Sequence, residues 1–177
     1  MRGKAHERKW STGVNRSFTP GEMRQFFSAV DNEKHLICFK LMRYLGLRVG
    51  EAVRVRLEDL TLDGANPRIG IINRKTRGED SPPEYLNLSE NLLVPLKAYV
   101  KDHAAQIRAN QGYLIYSERS RTKGHATEGA MRVHFRGYVE KAGLNETYAD
   151  IATTPGQRGK LGRRKLHRFT THSLRHT

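Results

Sequence analysis

A chain of 177 residues with 37% hydrophobic side chains suits one domain with a real core, and its single cysteine excludes an internal disulfide and a cysteine-based zinc centre. Thirty-two Lys and Arg against eighteen Asp and Glu leave a net charge of +14, which calls for a polyanionic partner, nucleic acid first. No run of ~18 apolar residues suggests a membrane span, and the basic residues do not follow one amphipathic helix as a membrane-surface binder would require.

Residues 1–17 read as a basic arm or linker without periodicity, and the stretch from Met1 to Arg16 has no apolar run behind it of the kind a secretory signal carries. A domain then spans 18–177. Thr19-Pro20-Gly21-Glu22 is a helix start, with Thr19 as cap, Pro20 in the first turn and Glu22 completing a capping box. Met23, Phe26, Phe27 and Val30 follow as one apolar stripe. A second helix is expected from Glu33 to Leu45, with Ile37, Leu41, Tyr44 and Leu45 inward and Gly46 ending it. Cys38 sits in its apolar run and reads as a small buried hydrophobe, in keeping with a reducing, intracellular setting. A short third helix near Gly50 carries Ala52, Val53 and Val55.

The period then changes. Residues 68–73 and 84–88 read as two strands joined by a polar loop, so the sheet is an antiparallel hairpin or three strands at most. A long helix is expected over 90–110, marked by Leu93, Leu96, Val100, Ala104 and Ile107. Tyr113 to Tyr116 is a short buried segment, and residues 127–142 form a helix with Met131, Phe135, Tyr138, Val139 and Ala142 on one face. Residues 144–170 are rich in Gly, Thr and basic side chains, hence a loop or flexible hairpin. Thr171 is placed to cap a helix beginning at His172, which the sequence breaks off after one turn, as if the chain were cut there. The fold class is therefore mainly α with a small antiparallel sheet, α+β.

Three places carry candidate chemistry. Arg48 stands at a helix–break–helix junction, where Glu51 one turn on can hold it by a charge-assisted bond; a surface salt bridge is the plain alternative. Arg74, Lys75 and Arg77 make a basic tip on the hairpin, which alone would read as a solvated turn. His172, Arg175 and His176 share one helical face at the end of the sequence. Between Thr154 and Thr177 there are seven basic side chains and no acidic one, and Arg163, Arg164, Lys165 and Arg168 lead straight into that cluster as candidate phosphate contacts.

Together these motifs resemble the tyrosine recombinase (phage integrase) family. "YLGLRVGEAVRVRLEDL" is similar to its first arginine box and "THSLRHT" to its second, H-x-L-R-H-T. "FTPGEMRQFF" resembles the usual opening of the catalytic domain, "VEKAGL" the helix ending before the second box, and the resemblance covers residues 18 to 177. It implies site-specific cleavage and rejoining of double-stranded DNA through a 3′-phosphotyrosyl link, in recombination or integration, with no metal or other cofactor. By the same resemblance Arg48 and Arg175 clamp the non-bridging phosphate oxygens and Lys75 protonates the leaving 5′ oxygen, with Arg74 and Arg77 competing for that role. His172 acts as acid/base, Glu51 orients Arg48, and His176 supports Arg175. Assembly as a tetramer on DNA and a cytoplasmic, nucleoid-associated location are implied for the full-length form.

The family places its nucleophilic tyrosine after the second box, whereas the seven tyrosines here all precede it; Tyr44, Tyr85, Tyr99 and Tyr138 fit core stripes or strands, and Tyr148 is the loose one. The expectation is thus a partial catalytic domain, truncated after the second box, inactive alone for want of the nucleophile. A non-catalytic DNA-binding remnant of an integrase is the alternative. A metal site at His167, His172 and His176 and a ribosome-type RNA binder are weaker: the first has an arginine inside its ligand set, the second has no need of both boxes.

Overall fold

Local sequence signals set the first two helices. In the computed structural model, which describes residues 16–71, 83–118, 124–152 and 163–175 (backbone only for 150–152 and 163–164), α1 runs Pro20–Ala29. The Thr19 N–H donates to Glu22 Oε2 at 2.8 Å and the Glu22 N–H to Thr19 Oγ1 at 3.3 Å, a reciprocal capping box that satisfies donors the helix leaves free. Helix α2, Glu33–Leu45, starts under Asn32, whose Oδ1 accepts from the His35 N–H at 3.1 Å. It stops at Gly46, whose φ of 64° is the left-handed turn that glycine adopts without a Cβ penalty. Helix α3, Val49–Ala52, is a single turn.

A 3₁₀ turn, Leu57–Asp59, leads into strands β1 (Leu60–Thr61), β2 (Arg68–Ile71) and β3 (Glu84–Asn87), antiparallel in that order. Ile69 lies opposite both Leu60 and Leu86, which sets the register. Helices α4 (Glu90–Asp102), α5 (Ala104–Ala109) and α6 (Glu128–Lys141) follow, then the antiparallel pair β4 (Thr147–Ala152) and β5 (Arg163–His167), and finally a 3₁₀ turn, Thr171–Arg175. The architecture is mostly helical with a small antiparallel sheet, as expected.

Helix α2 is the central element. Ile37, Cys38, Phe39, Leu41 and Met42 are buried along it, and Phe26 of α1, Leu92 and Leu96 of α4 and Phe135 of α6 are buried with them in one core. Each such side chain contributes roughly 1.5–3 kcal/mol on burial. Phe26 and Phe135 meet at 5.0 Å, and the Phe18 ring stacks on Phe169 at 4.0 Å, tying the chain before α1 to the chain after β5. Among the described residues no helix is long and apolar enough to cross a membrane.

Several expectations are corrected. The helix expected over 90–110 is broken at His103, where the backbone leaves helical geometry and the imidazole stacks on Tyr99 at 4.4 Å and bonds Tyr116 Oη and Glu33. Its fully buried positions are Leu92, Leu96, Tyr99 and Ile107; Leu93 and Val100 are only half-buried. Tyr44 is not a core residue, being 43% exposed, whereas Tyr85 lies in β3 as expected, with the Arg68 guanidinium over its ring at 4.5 Å. Tyr148 lies in β4 rather than in a loop, with the Arg16 guanidinium 5.2 Å from its ring centroid. Thr171 is the first residue of the last turn and not its cap. Thr170 and Ser173 bond each other reciprocally, N–H to Oγ at 3.1 Å and N–H to carbonyl at 2.9 Å, which favours a tight i→i+3 turn over an α-helix.

Candidate functional site

Arg48 is fixed by the break between α2 and α3. After the Gly46 turn, Leu47 is buried and Arg48 is extended, so its side chain leaves the corner at the start of α3. The Arg48 N–H donates to Glu51 Oε2 at 2.6 Å and Nη1 to Glu51 Oε1 at 2.8 Å. One carboxylate thus holds both the backbone and the guanidinium of the same residue. Because the Arg48 side chain is 42% exposed, the pair adds little to stability, and its value lies in orientation.

Arg175 is placed by different means. Ser173 and Leu174 are buried and the last turn packs on α2, leaving Arg175 half-buried at its end. Its Nε is buried with no hydrogen-bond acceptor, a charged donor aimed at something the described residues do not supply. His172 is exposed three residues earlier, which in a 3₁₀ turn puts it on the same side.

These parts meet. Arg48, His172 and Arg175 line one cleft of about 420 Å³, and none of the described residues lining it is an Asp or Glu. Arg132 and Arg136 of α6 and His167 at the end of β5 complete its polar wall. Burial holds the His167 imidazole below its ordinary value, with Arg136 and Lys165 pushing the same way, so its ring is neutral near pH 7. Arg48 and Arg132 are paired with Glu51 and Glu128, but neither carboxylate is among the cleft's lining residues, so the cleft itself presents positive charge that favours an anion. A second cleft, about 510 Å³, shares Arg48 and Arg132 but differs in chemistry. There Arg56 meets Glu58 at 3.0 Å, and Arg132 and Arg54 reach Glu128 at 2.7 and 3.9 Å, so its cations are matched within the protein.

The structure therefore brings Arg48, Glu51, His172 and Arg175 together. Lys75, Arg74, Arg77 and His176 lie outside the described residues, as do the side chains of Arg163 and Arg164. Lys165 is exposed on β5. Arg168 is engaged internally: its Nη1 lies 3.0 Å from both Glu22 and Glu146, and its guanidinium covers Phe169 at 4.6 Å. Sequence reasoning missed Arg132 and Arg136. Their only signal was two arginines four apart beside the Met131–Phe135 stripe, which also describes an ordinary solvated helix flank.

A family model described as the phage integrase family matches residues 16–177. The chain belongs to the phage integrase family. Within it, the chain is 25% identical over 159 residues to the tyrosine recombinase XerA of Pyrococcus horikoshii, covering 90% of this chain and 47% of that protein. Among solved structures, the integrase fold here is similar to the crystal structure of XerA recombinase, with a TM-score of 0.62 at 19% identity over 90% of this chain and 47% of that one. It is similar also to the XerH site-specific recombinase bound to its difH substrate before cleavage, TM-score 0.62 at 14% identity over 93% of this chain and 41% of that one. This integrase chain spans about half the length of the curated relative it matches. Of the alternative metal triad, His167 and His172 line the arginine cleft and His176 lies outside the described residues. Among the described residues no group of three or more His, Cys, Asp or Glu side chains could hold a metal ion.

Proposed function

We propose that these residues are the phosphate-binding part of a tyrosine recombinase catalytic domain, which binds duplex DNA and cleaves and rejoins it through a 3′-phosphotyrosyl intermediate. The observation that carries this reading is the convergence of Arg48 and Arg175, one from each end of the domain, on a cleft whose described lining holds no carboxylate. Charge that builds on a phosphate at attack must be met by donors already in place, and planar guanidinium forks match its oxygens. Glu51 keeps the Arg48 fork aimed. His172 exchanges the proton beside the phosphate, an imidazole being suited to both directions near neutral pH. Lys75 protonates the leaving 5′ oxygen, His176 supports Arg175, and Arg74, Arg77, Arg163, Arg164 and Lys165 contact flanking phosphates. Action on intracellular DNA and assembly of several copies on it belong to the same reading.

The nucleophile of this reading is a tyrosine following the second arginine box, and all seven tyrosines of these residues precede His172. The 177 residues alone are then expected to bind a mixed-sequence duplex with steep salt dependence and to form no covalent adduct on a nicked substrate. Arg48→Ala and Arg175→Ala should each lower the slope of log K against log salt by about 1. Binding that ignores salt would refute the phosphate cleft, and an adduct trapped on Tyr148 or another internal tyrosine would refute the assignment of the nucleophile.

A further inference from the structure

Two of the four arginines of the cleft come from neither arginine box. Arg132 and Arg136 stand one turn apart on α6, ~6 Å along the helix axis, and both line the cleft that holds Arg48 and Arg175. The solvent side of the same helix is different: Val133, Gly137 and Glu140 are exposed and none of them lines the cleft. A solvated charge run would have no reason to face an existing group of like charges. Here it does, and the described lining supplies no carboxylate to relieve it. One phosphate gripped by Arg48 and Arg175 would leave Arg136 without an anion and Arg132 matched only by Glu128, which does not line the cleft. A DNA strand brings a further negative charge every ~3.4 Å along its axis, so the next phosphate arrives within reach of the same wall.

Resting on the recombinase reading above, we propose that Arg132 and Arg136 form a second phosphate-binding pair, which holds the strand phosphate adjacent to the one between Arg48 and Arg175. The two arginines are not equivalent. Arg132 already donates to Glu128 Oε2 at 2.7 Å, one turn earlier on α6, and must exchange that carboxylate for the phosphate. Arg136 has no carboxylate partner among the described residues and is free of that competition. Glu128 thus acts as a positioning residue: it keeps Arg132 folded toward the neighbouring cleft until DNA displaces it.

The test is titration of a labelled mixed-sequence duplex by fluorescence anisotropy across a salt series. The proteins are the wild type, Arg136→Gln, Arg136→Lys, Arg132→Gln, Glu128→Gln and, as a control for lost charge, Lys101→Gln on exposed α4. Arg136→Gln should weaken binding several-fold and lower the salt slope by about 1, Arg136→Lys should keep the slope, and Lys101→Gln should leave it unchanged. Arg132→Gln should cost less than Arg136→Gln, and Glu128→Gln should tighten binding only while Arg132 is present. Arg136→Gln behaving like Lys101→Gln, with the wild-type slope intact, overturns the second pair and leaves the first cleft standing. A wild type without salt dependence would instead remove the recombinase reading and this inference together. Thermal melts of each variant separate lost folding from lost contact.

Discussion

His35 offers a quantitative test of how the core around α2 is built. Its ring is 7% exposed, stacks on His134 at 4.0 Å and bonds Tyr138 Oη at 2.9 Å, while Tyr138 O–H donates to Asp31. Burial, with His134 and Lys34 adding like charge, holds its pKa down at about 4 against an ordinary value of 6.5. Between those two values the unfolded chain binds a proton that the folded chain refuses, so stability falls as pH drops through the window. At about pH 5 the loss relative to about pH 7 comes to ~2 kcal/mol, which for a domain of this size is ~4–8 °C in Tm. Replacing His35 with Gln removes the titrating group. The variant is expected to be less stable at neutral pH yet flatter in the window, with the ~2 kcal/mol acid loss largely gone. Urea unfolding at both pH values measures this. Equal acid losses in wild type and variant would refute the argument that burial of a neutral imidazole sets the response.

Phe18→Ala should cost about 3–5 kcal/mol in urea unfolding, because it removes a buried ring stacked on Phe169 and in contact with Phe26 and Phe135; a loss below about 1 kcal/mol would mean the stack is incidental. Glu51→Ala should cost about 1 kcal/mol, because the Arg48 N–H loses its capping acceptor at the start of α3, and unchanged stability would refute that role. Gly50→Ala would drive its new methyl into the Glu128 carboxylate, the movable end of a side chain, so the expected cost is under about 1 kcal/mol. In a Glu128→Ala background the same change should become stabilising by about 0.5–1 kcal/mol through helix propensity, and simple additivity of the two changes would count against the contact.

Legibility followed the range of the interactions. The α1 capping box and the Gly46 stop depend on residues within four of one another, and their spacing could be read directly. Arg48 with Glu51 belongs to the same class. The break at His103 does not, because it is held by Tyr116 and Glu33, partners remote in sequence that a hydrophobic period cannot see. Tyr44 satisfied an apolar pattern yet is exposed, since aromatic rings serve both as core and as amphipathic surface. β1 is two residues long and too short to show a period. The i, i+4 spacing of Arg132 and Arg136 did not distinguish them from a solvated flank: only the tertiary position of α6 turns that flank into one wall of the cleft.

The stack of Phe18 on Phe169 has a consequence for when the cleft exists. Arg48 takes its setting from a carboxylate three residues away, so any chain that has formed α2 and α3 already has it. The turn bearing Arg175 has its own Thr170–Ser173 bonds and packs on α2, but the chain that leads into it is tied to the region of α1 through Phe169 on Phe18 and the Arg168 bridge to Glu22. That closure joins the two ends of the described chain, the costliest loop in conformational entropy that the fold contains. Arg175 is therefore expected to be set later than Arg48 and to be released at a lower cost in local opening, because its placement needs a long-range closure that Arg48 does not. Hydrogen exchange should show the Leu174 amide opening together with α1 and at a lower free energy than the middle of α2. Protection of Leu174 equal to that of Phe39 would mean the cleft closes as one piece with the core.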